Sequence, residues 1–209
     1  MVRSQRQPRV KPNIILFIVG ALIFVGALYF ATEQELTFAP WLRFLSFIGI
    51  AGIIIQVIAI YRLRPFSRFY VASFVAVIFD FLFVVGYLVF ATLYFIDRDW
   101  FPELGAIVAI LNILMTLAET IIMVCFVVGT NKVAEEYGRG MPKLTKIILL
   151  VYLILVIFDV ILPIITLTGA TLPDNFFFNL LVSSVGILSL VRHVLIVVFL
   201  VKAIIVIPY

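Results

Sequence analysis

Apolar positions run in six long stretches, at 12–31, 42–61, 69–96, 104–130, 146–168 and 176–201. Each is about 20 residues or more, enough to cross a hydrocarbon core of roughly 30 Å as a helix rising 1.5 Å per residue. Apolar side chains continue around each predicted helix instead of forming one stripe, so these helices meet lipid or one another rather than water. The pattern predicts an all-α polytopic membrane protein, a six-transmembrane-helix bundle in a single transmembrane domain over 1–209, preceded at 1–11 by a basic arm. Prolines fall between the stretches, at Pro40, Pro65, Pro102 and Pro173, where the topology needs turns. The segment 131–143 is expected to extend span four as a short amphipathic piece and then break among Gly138, Gly140 and Pro142.

The polar residues that interrupt these stretches carry the functional information. Asp80, Glu119, Asp159 and Arg192 fall near the middle of spans three to six, about 15–20 Å from the basic ends at 1.5 Å per residue. Gln56 in span two sits one to two turns nearer that end. A charged side chain at such depth costs about 2.5–3.5 kcal/mol on insertion scales, so each needs a partner or a task. Three acids facing one guanidinium leave the layer unbalanced if all are ionised, and at least one acid is expected to hold a proton. Helical spacing aligns Ser73, Asp80 and Tyr87 in span three, and Tyr152, Asp159 and Thr166 in span five, with Pro163 adding a kink after the acid. Span four aligns Asn112, Thr116 and Glu119. Span six aligns Asn179, Ser183, Gly186 and His193, with Ser189 and Arg192 beside that stripe. All these stripes are expected to face the bundle interior, whereas Gly20 and Ala27 give span one a close-packing face. The candidate substrate- or ion-binding residues are therefore Asp80, Glu119, Asp159, Arg192, His193, Gln56 and Asn112.

A faint repeat strengthens the hairpin picture, since Val77-Ile78-Phe79-Asp80 recurs as Val156-Ile157-Phe158-Asp159 and Ala91-Thr92-Leu93 as Ala170-Thr171-Leu172. Three repeated helical hairpins would result.

Charge orients the bundle. Arg3, Arg6, Arg9, Lys11, Arg62, Arg64, Arg68, Lys132, Arg139, Lys143, Lys146 and Lys202, twelve of the 15 basic residues, belong to one end, against Arg43 and Arg98 at the other. The positive-inside rule then places both termini in the cytoplasm, in what is expected to be a prokaryotic plasma membrane. The first span reads as an uncleaved anchor. At 65% hydrophobic and 12% charged, with a mean hydropathy of +1.29, the composition excludes a soluble domain. One Cys and one His exclude an internal disulfide, a thiolate metal cluster and a bis-histidine haem within this chain. No catalytic residue, metal ligand set or cofactor is expected. The partners expected are the lipid bilayer, with other membrane subunits or a homo-oligomer compatible with it, and no nucleic acid.

Two functions compete. The leading expectation is a transport-type protein binding a proton, cation or small polar solute at mid-membrane. The alternative is a non-catalytic structural or assembly subunit of a larger membrane complex, in which the same residues form a structural network and the apolar tail 203–209 meets a partner. An enzyme acting on lipid or isoprenoid substrates lacks any paired acid–base motif at the interface.

Overall fold

In a computed structural model the chain is described over residues 10–33, 45–96, 104–168 and 176–207. Among these residues it is helical throughout, with no strand. The helices are α1 (Val10–Glu33), α2 (Leu45–Leu63), α3 (Arg68–Ile96), α4 (Leu104–Glu136), α5 (Pro142–Val156), α6 (Leu162–Leu167) and α7 (Phe176–Val206). A π-helical turn, Ile157–Ile161, joins α5 to α6, so these three pieces make one crossing and six apolar crossings result. The helices overrun the apolar stretches at the basic end: α4 continues to Glu136, α5 starts at Pro142 and α7 continues to Val206. Backbone hydrogen bonding does not stop where hydrocarbon does.

Consecutive helices pack as hairpins, α1 on α2, α3 on α4 and the α5 crossing on α7. The first is set by glycine. A Cβ added at Gly52 would lie 2.7 Å from both the Gly20 carbonyl oxygen and the Phe24 nitrogen, and one at Gly20 would lie 2.7 Å from the Gly52 oxygen. The backbones touch there, as small residues allow where lipid gives helices no hydrophobic reason to associate. Ala27 meets the other end of the same seam, its Cβ 3.5 Å from a Cβ placed at Gly49, so the expected close-packing face of span one is found.

Three contacts fix the antiparallel register of α3 and α4. Tyr70 hydrogen-bonds Thr130 through its hydroxyl at 2.9 Å, Ser73 Oγ donates to the Ile122 carbonyl at 3.0 Å, and Gly86 meets Leu111. The turn into α5 is also specified residue by residue. Gly138 adopts φ +69°, its N–H donates to Glu135 O, and the Arg139 N–H reaches Ala134 O, which together close α4 in a Schellman motif. The Asn131 side chain then accepts from the Met141 N–H at 2.5 Å and donates to Glu135 at 2.7 Å, tying the start of α5 to the end of α4.

Among the described residues burial is deepest toward the basic end. Val10, Ile14 and Phe17 of α1, Phe126 and Val127 of α4, and Phe199, Ala203 and Ile207 at the end of α7 are within 2% of fully buried. Between Ser183 and Leu190, α7 offers no buried residue. The tail from Ala203 to Ile207 packs partly into this chain's own core, with Ile205 left 71% exposed; Pro208 and Tyr209 lie outside the described residues.

Candidate functional site

The register that pairs Tyr70 with Thr130 and Gly86 with Leu111 sets Asp80 opposite Glu119, one level up the α3–α4 hairpin. Asp80 is 3% exposed, and its Oδ1 is buried with no hydrogen-bond partner. Its charged neighbour is Glu119. Glu119, half-buried, in turn interacts with Arg192 of α7, as does Asp159 in the π-helical turn. Tyr152 of α5, buried, lies within the field of both Glu119 and Arg192, and the guanidinium stands 5.6 Å from the centroid of its ring. The four charged groups foreseen from the sequence are thus arranged in the order Asp80, Glu119, Arg192, Asp159, with Tyr152 packed against the cation.

Arg192 makes no ion pair among the described residues; its Nη2 donates to Ser189 Oγ at 3.2 Å, one turn back on its own helix. A side chain on α7 leans toward the helix N-terminus, so Ser189 lies on its way. Across the α3–α4 hairpin Glu119 has Asp80 as a neighbour, and the α5 crossing also packs on α4.

The stripe on α7 is rotated from the expected one. Adjacent helical residues point about 100° apart, so Arg192 and His193 cannot both face the same neighbours. Arg192 turns inward, and His193 is exposed, its Nδ1 within 2.7 Å of the Ser189 carbonyl of its own helix. Ser183 and Gly186 are exposed with it, and the side chain of Asn179 lies outside the described residues. Gln56 is buried, but in the α1–α2 seam, where its Cγ would meet a Cβ on Gly20 at 2.9 Å. It belongs to helix packing rather than to the charged layer. The Pro163 kink takes the form of the π-helical turn: Pro163 has no N–H for the Asp159 carbonyl four residues back, and the ladder shifts so that the Leu162 N–H bonds Ile157 O instead. Thr166 of the same stripe has no described side chain.

Asn112 shares the Glu119 face of α4. On α4 it lies about 20° from Glu119 and about 180° from the lipid-facing Ile121, yet it is exposed. Asn112 sits two turns beyond Glu119 toward the end away from the basic loops and presents an exposed amide there. Thr116, between them, donates its hydroxyl to the Asn112 carbonyl at 3.0 Å and leaves a second polar oxygen on that face.

Below the layer the bundle is closed by an aromatic stack that the sequence did not single out. Phe17 of α1 stacks on Phe126 of α4 with centroids 3.9 Å apart and planes at 17°, and Tyr70 of α3 meets Phe126 edge-on at 5.7 Å. All three are fully buried. Gly129 makes room for the Tyr70 ring, whose carbons lie 3.1–3.3 Å from where its Cβ would be. The Tyr70 hydroxyl is satisfied inside the bundle by Thr130. Phe126 lies seven residues past Glu119, about 10 Å at 1.5 Å per residue, so the stack sits two turns below the acids. Among the described residues no group of three or more His, Cys, Asp or Glu side chains is placed to hold a metal ion. Comparison with family models, with curated proteins and with solved structures finds no match to this chain.

Proposed function

We propose that this integral membrane protein is of the transport type, binding a proton or small cation between Asp80 and Glu119 at mid-membrane. The observation that carries the reading is the Asp80 carboxyl, 3% exposed, with an oxygen lacking any hydrogen-bond partner and a second carboxyl as its neighbour. A buried carboxylate without a partner is costly, and a structural network would satisfy it. A proton or a cation held between the two acids removes that cost.

Arg192 supports the same role without cancelling it. It is near enough to act on Glu119 and Asp159 and too far to pair with either, so the acids keep capacity for a mobile positive charge. Access comes along Asn112 and Thr116 from the end opposite the basic loops, and the Phe17–Phe126–Tyr70 stack closes the way to the basic end, taken as cytoplasmic. Exchange between the two sides then requires the stack to part as the upper crevice closes. The π-helical turn at Asp159 is a natural place for that change, since its ladder already departs from α-helical bonding.

Proteoliposomes test the proposal. Wild-type protein should carry proton or small-cation flux down an imposed gradient, Asp80→Asn and Glu119→Gln should each abolish it while the protein remains monodisperse, and Gln56→Leu should leave the layer's chemistry in place. Absence of flux for protons and alkali cations in the wild type would overturn the reading. The second reading, a structural subunit, draws on His193, an exposed imidazole on the α7 flank at bilayer depth. Co-purification in fixed ratio with another membrane protein, lost in His193→Leu, favours it.

A further inference from the structure

At the basic end, two cations converge on one ring. The Arg68 guanidinium is 5.8 Å and the Lys132 ammonium 4.9 Å from the centroid of Phe69, one from the start of α3 and the other from the last turns of α4. Neither pairs with a carboxylate among the described residues. Glu135 is engaged by Asn131, and Glu136, one turn past Lys132, is exposed and unpaired. Two like charges beside one ring repel, and an anion between them would remove that repulsion.

The surface leading to them has the form of a lipid chain's track. Phe79 lies about 20° from Arg68 around α3, and Ile121 about 20° from Lys132 around α4, at 100° per residue. Both are exposed, at 52% and 42%. Each is separated from its cation by eleven residues, about 16 Å along the helix, close to the roughly 15 Å of one hydrocarbon leaflet. Ala72 is exposed between them on the α3 side. Two apolar tracks, each one leaflet long and each headed by a cation, meet at the Phe69 ring.

We propose that the groove between the basic ends of α3 and α4 holds an anionic phospholipid, its phosphate between Arg68 and Lys132 over Phe69 and its acyl chains along Phe79 and Ile121. The site is independent of the carboxylate layer. Glu136 borders it and weakens anion binding.

Native mass spectrometry of the purified full chain, with phosphatidylglycerol or phosphatidylcholine of matched acyl chains added in detergent, reads the site directly. The wild type should retain phosphatidylglycerol preferentially, and Arg68→Gln with Lys132→Gln should reduce that preference roughly tenfold or more, as expected for two headgroup cations. Glu136→Gln should increase retention, and Lys143→Gln, an exposed basic change away from Phe69, should leave it unchanged. Thermal unfolding of the double variant, compared with that of Arg68→Lys with Lys132→Arg, separates loss of binding from loss of fold: the charge-keeping variant should retain the lipid. Equal retention of the two lipids by the wild type overturns the proposal, as does a loss in Lys143→Gln equal to that in the double variant. Inorganic phosphate competing as well as the lipid overturns the assignment to a phospholipid.

Discussion

Gly52→Ala offers a sharp test of the packing that holds α1 and α2 together. By helix propensity alone the change should stabilise the protein by up to about 1 kcal/mol, because alanine is the better helix former. The geometry reverses the sign. The new methyl would stand 2.7 Å from the Gly20 oxygen and 2.7 Å from the Phe24 nitrogen, with the Phe24 Cα at 3.1 Å. All three are backbone atoms, which no rotamer change can move aside. Restoring ordinary contact at about 3.4 Å needs the helices to part by roughly 0.7 Å, and overpacking of this kind costs about 1–3 kcal/mol. Separation also loosens Gly49 against Ala27 and Gln56 against Gly20. A net loss of up to about 2 kcal/mol follows once the full propensity gain is offset. Gly26→Ala is the matched control, since nothing lies within 4 Å of its added Cβ. Reversible unfolding in mixed micelles on titration with SDS should show Gly52→Ala destabilised and Gly26→Ala equal to wild type or slightly more stable. If the two variants behave alike, the helices do not touch at Gly52 and the argument fails.

Tyr70→Phe keeps the stack on Phe126 but removes the 2.9 Å bond to Thr130; it should cost about 0.6 kcal/mol in the same unfolding assay, whereas Phe126→Ala, which empties the stack, should cost several times more. Asn131→Ala removes both the bond to the Met141 N–H and the bond to Glu135, and hydrogen exchange should rise at residues 137–141 while α3 is unaffected. Gly138→Ala forces an alanine into a left-handed conformation at φ +69°, and should lower stability by about 1 kcal/mol.

How much of this was legible in the sequence depended on contrast. Six helices follow from length and apolarity alone, and Asp80, Glu119, Asp159 and Arg192 stand out because charge at bilayer depth is costly. Which neighbour each acid meets was not legible, because that depends on helix order and register: Glu119 finds Asp80 only through the contacts that align α3 with α4. The rotation of α7 was equally hidden. A span with apolar residues on every side gives no amphipathic contrast to choose between Arg192 and His193, and the polar spacing that linked Gly186 with His193 selected the exposed flank. The aromatic stack left no mark for a related reason. Among 21 phenylalanines, nothing in the local sequence separates Phe17 and Phe126, buried between helices, from Phe79, which faces outward. Thr130 was the available signal, a hydroxyl beside Gly129 that needs a partner across the hairpin.

The central claim is that the carboxylate layer opens toward one face of the membrane and is sealed from the other by the aromatic stack. One-sided cysteine labelling tests it most directly. In a Cys125→Ala background, Asn112→Cys and Gly138→Cys should be treated with an impermeant thiol reagent in sealed vesicles of each orientation. The account predicts that Asn112→Cys reacts only from the face opposite the basic loops and Gly138→Cys only from the basic face. Labelling of Asn112→Cys from the basic face, or from neither face, would contradict it.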